Sequence, residues 1–559
     1  EWIRWRRSLF PEDGVAVSIQ NQREPGFVER RARFQETTDE LMTRFEKEVP
    51  KFSPRYIGHM FSEISLPALV GHIATLLHNP NNISGESSRV GIQIEREAIG
   101  FLSEMIGFEV NSTEGHFTSG GTVANLEALV RARSRYALWM SAAAALTAAG
   151  RLPKFDPFSA AHMGWKVFES RMQALREAQV PDAAVAAWNM ELANPLELHS
   201  KLSALSGSSF LGPVLLVPEN MHYSWKKGAH LLGLGSAALW SIELDERGRS
   251  SVAHVRKLLA EAEQAGRPVL LVVSVVGTTE LGTVDPVDRI QDVLDEWCSE
   301  KGIEIWHHVD AAFGGFFCSL DLERSRVMNE GTARSLGAIR RANSVTLDPH
   351  KLGYVPYSSG AFLSRDRRDY YFRTFEDAPY IDFDSKVDRG PYTLEGSRSA
   401  AGAVATWMTA KTVGLGPSGY GLLLERTIRI RRDLALRFET ERLPVQVAPG
   451  ADTNILCFHC GRDGEPLSVS NRRTLEVFES FTYKKNGDFI VSKTTLRDES
   501  YGAYLEKWEE SWSAKRDVDQ VVLIRLCLMN PFFESIESSV DYAELFVQCL
   551  RQSLDQCHT

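Results

Sequence analysis

The sequence predicts an α/β fold built on a mostly parallel sheet, followed by a smaller α+β unit. Three observations carry that expectation. Near-continuous apolar runs of strand length recur at 214–217, 269–276, 303–309 and 344–347, as in strands covered on both faces. Helix-length segments such as 252–265 and 287–300 separate them, and alternating strand and helix wrap a parallel sheet. Beyond about residue 410 the texture changes: 454–459, 488–492 and 521–529 read as strands, with a helix near 470–481.

In chain order, residues 1–85 read as a helical and loop-like lead-in, with a charged amphipathic stretch at 28–48 that ends at Pro50. The first residues lack an initiator Met and a signal-peptide stretch, so a trimmed chain or part of a longer product is expected. Ile92, Ile94, Ile99, Leu102 and Ile106 mark a buried helix over 90–108. An Ala-rich, mainly helical insertion is expected over about 138–209. The division that follows is a lead-in (1–85), a large domain (86–410) and a small C-terminal domain (411–559).

The chain of 559 residues, 43% hydrophobic and 24% charged, is large enough for a sizeable core and excludes disorder or coiled coil. Its 63 Lys and Arg against 73 Asp and Glu leave a net charge of −10, without a basic block. Nucleic acid and anionic membrane are thereby disfavoured as partners, and no apolar run approaches bilayer length. A small-molecule partner is expected. Seven Cys without a disulfide spacing suit a reducing, cytoplasmic compartment. The cluster Cys457-Phe-His459-Cys460 lacks a second ligand pair and reads as ordinary strand, so no metal is expected.

Four motifs bear chemistry. After the run 344–347, Asp348-Pro-His350-Lys351 places a Lys at a strand's carboxyl end, where open sheets bind ligands and where a shielded amine becomes a nucleophile. His308-Val-Asp310-Ala-Ala312 places a carboxylate beside small residues that admit a flat heterocycle: Asp310 can pair with a ring N–H⁺ while Ala312 contacts a ring face. Ser119-Gly120-Gly121-Thr122 runs into a helix whose first N–H groups, with the Thr122 cap, can receive a phosphate. His222 follows the run 214–217 and can stack on a ring. A phosphate cradle, a stacking imidazole, an acid for a ring nitrogen and an amine for a carbonyl together specify pyridoxal 5′-phosphate.

In order and rough spacing, Gly120-Gly-Thr122, His222, Thr278-Thr279, His308-Val-Asp310-Ala-Ala312 and Asp348-Pro-His-Lys351 resemble the group II pyridoxal-phosphate-dependent amino-acid decarboxylases. Ser65-Leu-Pro67, His78-Asn-Pro-Asn-Asn82, His222-Tyr-Ser-Trp225, Tyr354-Val-Pro356 and Leu394-Glu-Gly-Ser397-Arg398 are similar to the microbial-type tyrosine decarboxylases. Gly228-Ala-His230 and the segment between Tyr370 and Leu394 depart from that branch and leave the substrate open.

The resemblance implies an aspartate-aminotransferase-like (fold type I) large domain with a small C-terminal domain, acting as a homodimer. It implies that Lys351 holds the cofactor covalently, Asp310 keeps the pyridine nitrogen protonated, and His222 stacks opposite Ala312. Thr279 lies near the phenolic oxygen; Gly120, Gly121, Thr122 and His350 hold the phosphate. A Tyr after the Lys delivers a proton to Cα. The candidates are Tyr370, Tyr371 and Tyr380, and the family spacing selects Tyr380. The implied reaction releases CO₂ and an amine from an L-amino acid, aromatic first. Acidic or specialised-metabolite substrates, or an aldehyde-forming or transaminase-like reaction on the same fold, are the alternatives.

Overall fold

The expected apolar runs form the centre of a seven-stranded sheet in the computed structural model, which describes residues 1–13, 17–371, 388–483, 488–534 and 539–557. Its strands are β1 (Glu114–Thr118), β2 (Val214–Pro218), β3 (Leu239–Ile242), β4 (Val269–Val275), β5 (His307–Asp310), β6 (Ser344–Leu347) and β7 (Gly360–Ser364), in the order β1-β7-β6-β5-β4-β2-β3. The pairs among β2 to β6 are parallel; β7 runs antiparallel to both β1 and β6.

Strand periodicity explains why these runs are apolar throughout. Val214 and Leu216 of β2 pack with Val255, Leu259 and Ile290 of the helices Val252–Gln264 and Val287–Lys301. Leu215 and Val217 face the other way, onto Leu129 and Trp139 of the helix Gly121–Ala148. The ends of the parallel strands thus lie between two helical layers, and the site residues leave from those ends.

A second, wholly antiparallel sheet follows, with β8 (Gln446–Val447), β9 (Ile455–His459), β10 (Ser492–Arg497) and β11 (Gln520–Cys527) in the order β10-β11-β9-β8. Its core includes Leu456, Phe458, Ile524 and Leu526 with Phe438 and Phe546. Cys457 and His459 lie on β9 and Cys460 directly after it. All seven cysteines are unpaired, and among the described residues no helix is long and apolar enough to cross a membrane.

Four expectations differ in detail. The start of the expected insertion, residue 138, falls inside the continuous helix Gly121–Ala148, because its alanines are good helix formers that leave nothing to break it. Residues 488–491 form no strand; Ile490 makes one bridge to Tyr56 and pairing begins at Ser492. The run 303–309 yields a strand only from His307. Residue 410 lies within the helix Ala401–Thr412.

Residues Glu1–Ser53 form a separate compact unit. It contains the helices Trp2–Leu9, Ile19–Arg23 and Pro25–Phe45, the second opened by a capping box between Ser18 and Asn21.

Candidate active site

At the carboxyl ends of the strands, Gly120, Gly121, Thr122, His222, Thr279, Asp310, Ala312, His350 and Lys351 all line one cavity of about 290 Å³. That is near the small end of the ~300–1,000 Å³ usual for ligand pockets. Every expected site residue is therefore in one place except Tyr380, which lies outside the described residues. The two alternative tyrosines are engaged elsewhere: buried Tyr370 lies 2.8 Å from His116 Nδ1 through its Oη, and Tyr371 Oη donates to Glu114 Oε2 at 2.5 Å.

β1 ends at Thr118 and the chain enters the helix Gly121–Ala148 through Gly120, which is the N-cap and brings no side-chain cap. Thr122 is thus not the capping residue but sits in the first turn. The absence of a cap leaves the first-turn N–H groups, which no helix satisfies internally, for an anion. The glycines are sterically required. A Cβ on Gly121 would meet Asp348 Oδ2 at 2.8 Å and Ala312 Cβ at 3.1 Å, and one on Gly360 would meet Gly120 Cα at 2.5 Å.

Asp310 closes β5 and is buried. Its Oδ2 accepts from Asn125 Nδ2 at 2.7 Å and Trp225 Nε1 at 3.4 Å; its Oδ1 accepts from the Ala312 N–H at 3.4 Å. His222 Nδ1 accepts the Ser224 N–H at 3.3 Å and lies 2.9 Å from Ser224 Oγ. Burial holds the His222 imidazole below its ordinary value, so it is neutral near pH 7.

Lys351 Nζ lies 3.0 Å from Asp348 Oδ2. Burial disfavours its charge, but the Asp348 carboxylate outweighs burial and holds the ammonium above its ordinary range. His350 Nδ1 accepts from the Ser359 N–H at 3.1 Å, and its ring stacks on Tyr357 with centroids 4.1 Å apart. Burial keeps it, too, below the usual imidazole range.

Pyridoxal phosphate fits these residues. Among the described residues, Asp348 Oδ1 is a buried acceptor without a protein partner, Asn220 Oδ1 on the cavity wall is another, and the glycine cradle leaves room that any side chain would fill. The donor set is an anion-binding turn, a neutral imidazole, a carboxylate and an amine on one cavity. Sequence reading missed Asn125 and Ser224, although Asn125 stands four residues after Gly121, on the helix face that carries the cradle. The same helix also carries Glu127, Arg131 and Arg135, so no local signal singles Asn125 out.

A family model described as the pyridoxal-dependent decarboxylase conserved domain matches residues 198–459. L-tyrosine decarboxylases of Levilactobacillus brevis and Enterococcus faecium are each 28% identical to the chain across its full length, covering 93% and 95% of their own. Among solved structures, mouse CSAD (TM-score 0.65, 20% identity, 99% of this chain and 92% of that one) shares the fold. So does Oryza sativa TDC with PLP and tryptamine (TM-score 0.65, 15% identity, 99% and 91%). The chain is thus a pyridoxal-phosphate enzyme of fold type I. Within that class, residues 198–459 match the pyridoxal-dependent decarboxylase domain, and the chain is similar over its length to the bacterial tyrosine decarboxylases.

Proposed function

We propose that the chain converts an aromatic L-amino acid of the tyrosine type to its amine and CO₂. The carrying observation is the convergence of Lys351, Asp310 and His222, from three different strand ends, on one cavity. The aromatic preference is supported by the names of the full-length relatives. It is also supported by the cavity lining. Other relatives are named for acidic amino acids, yet among the described residues no arginine lines the cavity, and Lys351, committed to the cofactor in this reading, is the one permanent cation described there. A side-chain carboxylate would lack a cationic partner among these residues.

Pyridoxal phosphate, when bound, supplies a carbonyl for the substrate amine and a conjugated ring that takes up the electron pair left as the Cα–carboxylate bond breaks. The chain's residues do the rest. Lys351 provides the amine that anchors the cofactor. Asp310 accepts a hydrogen bond from the ring N–H⁺ and favours its charge. His222, neutral, offers a flat face opposite Ala312; Thr279 borders the phenolic oxygen. Gly120, Gly121, Thr122 and His350 hold the phosphate.

Tyr380 holds the proton that Cα receives once CO₂ departs. Its assignment rests on its spacing from Lys351, and the engagement of Tyr370 with His116 and of Tyr371 with Glu114 supports it by elimination.

A homodimer belongs to the same reading. Leu66, Leu69, Val70, Ile73, Leu76 and Leu77 of the helix Leu66–His78 are exposed, an apolar face of the kind a second copy covers. The two sheets are taken as cores of a large domain (86–410) and a small one (411–559), and the unpaired cysteines suit the cytoplasm.

The test is amine and CO₂ release over the twenty amino acids, with L-tyrosine, or another aromatic amino acid, expected to lead. Tyr380→Phe should bind substrate and lose amine formation, with residual product shifting to aldehyde. Preference for aspartate or glutamate overturns the substrate. Parental amine release by Tyr380→Phe overturns the proton donor.

A further inference from the structure

Behind Asp310 runs a chain of buried polar groups that meets the cavity wall at Asn125 and to which the reaction assigns no task. Trp306 Nε1 donates to Ser344 Oγ at 2.8 Å, and Ser344 Oγ lies 2.8 Å from His308 Nδ1. His308 Nε2 lies 3.3 Å from Asn125 Oδ1 and 3.3 Å from Thr346 Oγ1. Asn125 Nδ2 reaches Asp310 Oδ2 at 2.7 Å and Ser224 Oγ at 3.0 Å.

The direction of each bond follows from chemistry. An ionised carboxylate only accepts, so the NH₂ of Asn125 must face Asp310 and its carbonyl must face His308. That carbonyl only accepts, so His308 carries its proton on Nε2 and accepts at Nδ1 from the Ser344 hydroxyl. Ser344 in turn accepts from Trp306. Every donor therefore points toward Asp310 Oδ2, and such a chain strengthens link by link. The second N–H of Asn125 goes to Ser224, which also contacts His222 Nδ1.

We propose that Asn125 and His308 are positioning residues: they fix and polarise the Asp310 carboxylate, so that Oδ2 is committed to the protein and Oδ1 is presented to the pyridine nitrogen. The proposal rests on the reading of Asp310 as the partner of that nitrogen. Among the described residues Oδ1 receives only the long Ala312 bond, whereas Oδ2 is held by Asn125 and Trp225. The bonds from Asn125 and Trp225 thus fix the orientation of the Asp310 carboxylate in a buried place. Burial pushes His308 down to about 3, which leaves its neutral, direction-setting form intact across the working range. Asn125 also ties together the two groups that flank the cofactor, since one amide holds both the carboxylate and, through Ser224, the stacking imidazole.

The test uses holoenzyme loaded with pyridoxal phosphate labelled with ¹⁵N in the ring, whose chemical shift reports protonation of that nitrogen as pH is varied. The titratable groups facing Asp310 are His222, His308 and Lys351, and all remain in Asn125→Leu. In that variant the nitrogen should lose its proton at least about one pH unit lower, with kcat reduced about 10- to 100-fold, the scale known for outer-shell partners, and KM little moved. Ser344→Ala, a small change at the far end of the chain, should shift the titration in the same direction by less. His308→Gln, whose amide can still donate to Asn125, should keep more of the parental titration than His308→Leu.

A parental titration in Asn125→Leu and Ser344→Ala, with Asp310→Asn displaced, overturns the inference and leaves the reading of Asp310 standing. A parental titration in Asp310→Asn overturns both. Should Asn125→Leu not fold, Ser344→Ala and the His308 pair decide alone.

Discussion

Lys351 carries its charge where its chemistry needs none. An amine attacks a carbonyl only after losing its proton, and the Asp348 carboxylate 3.0 Å away holds that proton on. Cofactor loading of the apoenzyme should therefore accelerate as pH rises from about 7 toward about 10, as the lysine's ordinary value of about 10.4 is approached. The sign follows from the direction of the shift: a raised ammonium is protonated over more of the range, so the reactive fraction grows with pH. Asp348→Asn removes the carboxylate and should load faster at neutral pH. Absorbance of the bound cofactor measures both rates; a rate independent of pH contradicts the assignment of Lys351 or of its restraint by Asp348.

At the scale of elements, the turn between β1 and the helix Gly121–Ala148 is defined by what cannot be added to it. In Gly121→Ala the new methyl would press on Asp348 Oδ2, itself held by Lys351, and on Ala312. Overpacking of about 1–3 kcal/mol corresponds to roughly a ten- to hundredfold loss of cofactor affinity, measurable by titrating the apoenzyme. Gly337 supplies the contrast. It is exposed in the helix Glu330–Ala338, with nothing within 4 Å of an added methyl and no positive φ. Gly337→Ala should leave activity unchanged and stabilise by about 0.5–1 kcal/mol, read as a raised unfolding midpoint.

The same scale shows what the sequence disclosed. Strands β2, β4 and β6 were legible because both faces are buried, which makes apolarity continuous. Edge strands β3 and β8, and β10 with its exposed Lys493, carry no such run and were not read. The sheet's antiparallel member, β7, was equally silent, since Gly360–Ser364 holds only three apolar side chains between a Gly and a Ser. Site residues were found where a motif concentrates several chemical types, as at Asp348 to Lys351. Asn125 escaped because its importance lies in contacts with residues 99 and 185 positions away. No local pattern can carry that.

At the scale of the whole molecule, buried imidazoles set the response to acid. His162 accepts the Val269 N–H at Nε2, His307 lies between Ser274 and Gln291, His308 belongs to the chain behind Asp310, and His459 contacts Val522 O through Nδ1. Burial pushes the first three down to about 3 and His459 down to about 4. In the unfolded chain each regains an ordinary value of about 6.5. Between these limits the unfolded state binds more protons, so stability is fully present above about pH 6.5 and declines as pH falls, by up to about 1.4 kcal/mol per pH unit for each group. Asp285 works against this trend. Burial raises it to about 6, although Ser250 and Val275 N–H groups bond its oxygens, and over about pH 4–6 it binds protons more readily in the fold. Four imidazoles outweigh one carboxyl. The urea midpoint of the apoprotein should therefore fall steadily from about pH 6.5 to about pH 5, and His307→Asn, whose amide is uncharged throughout, should show a shallower decline. A midpoint that is flat over this window, or that rises toward acid, would mean that these histidines are protonated in the folded protein and that the bond directions assigned to them are wrong.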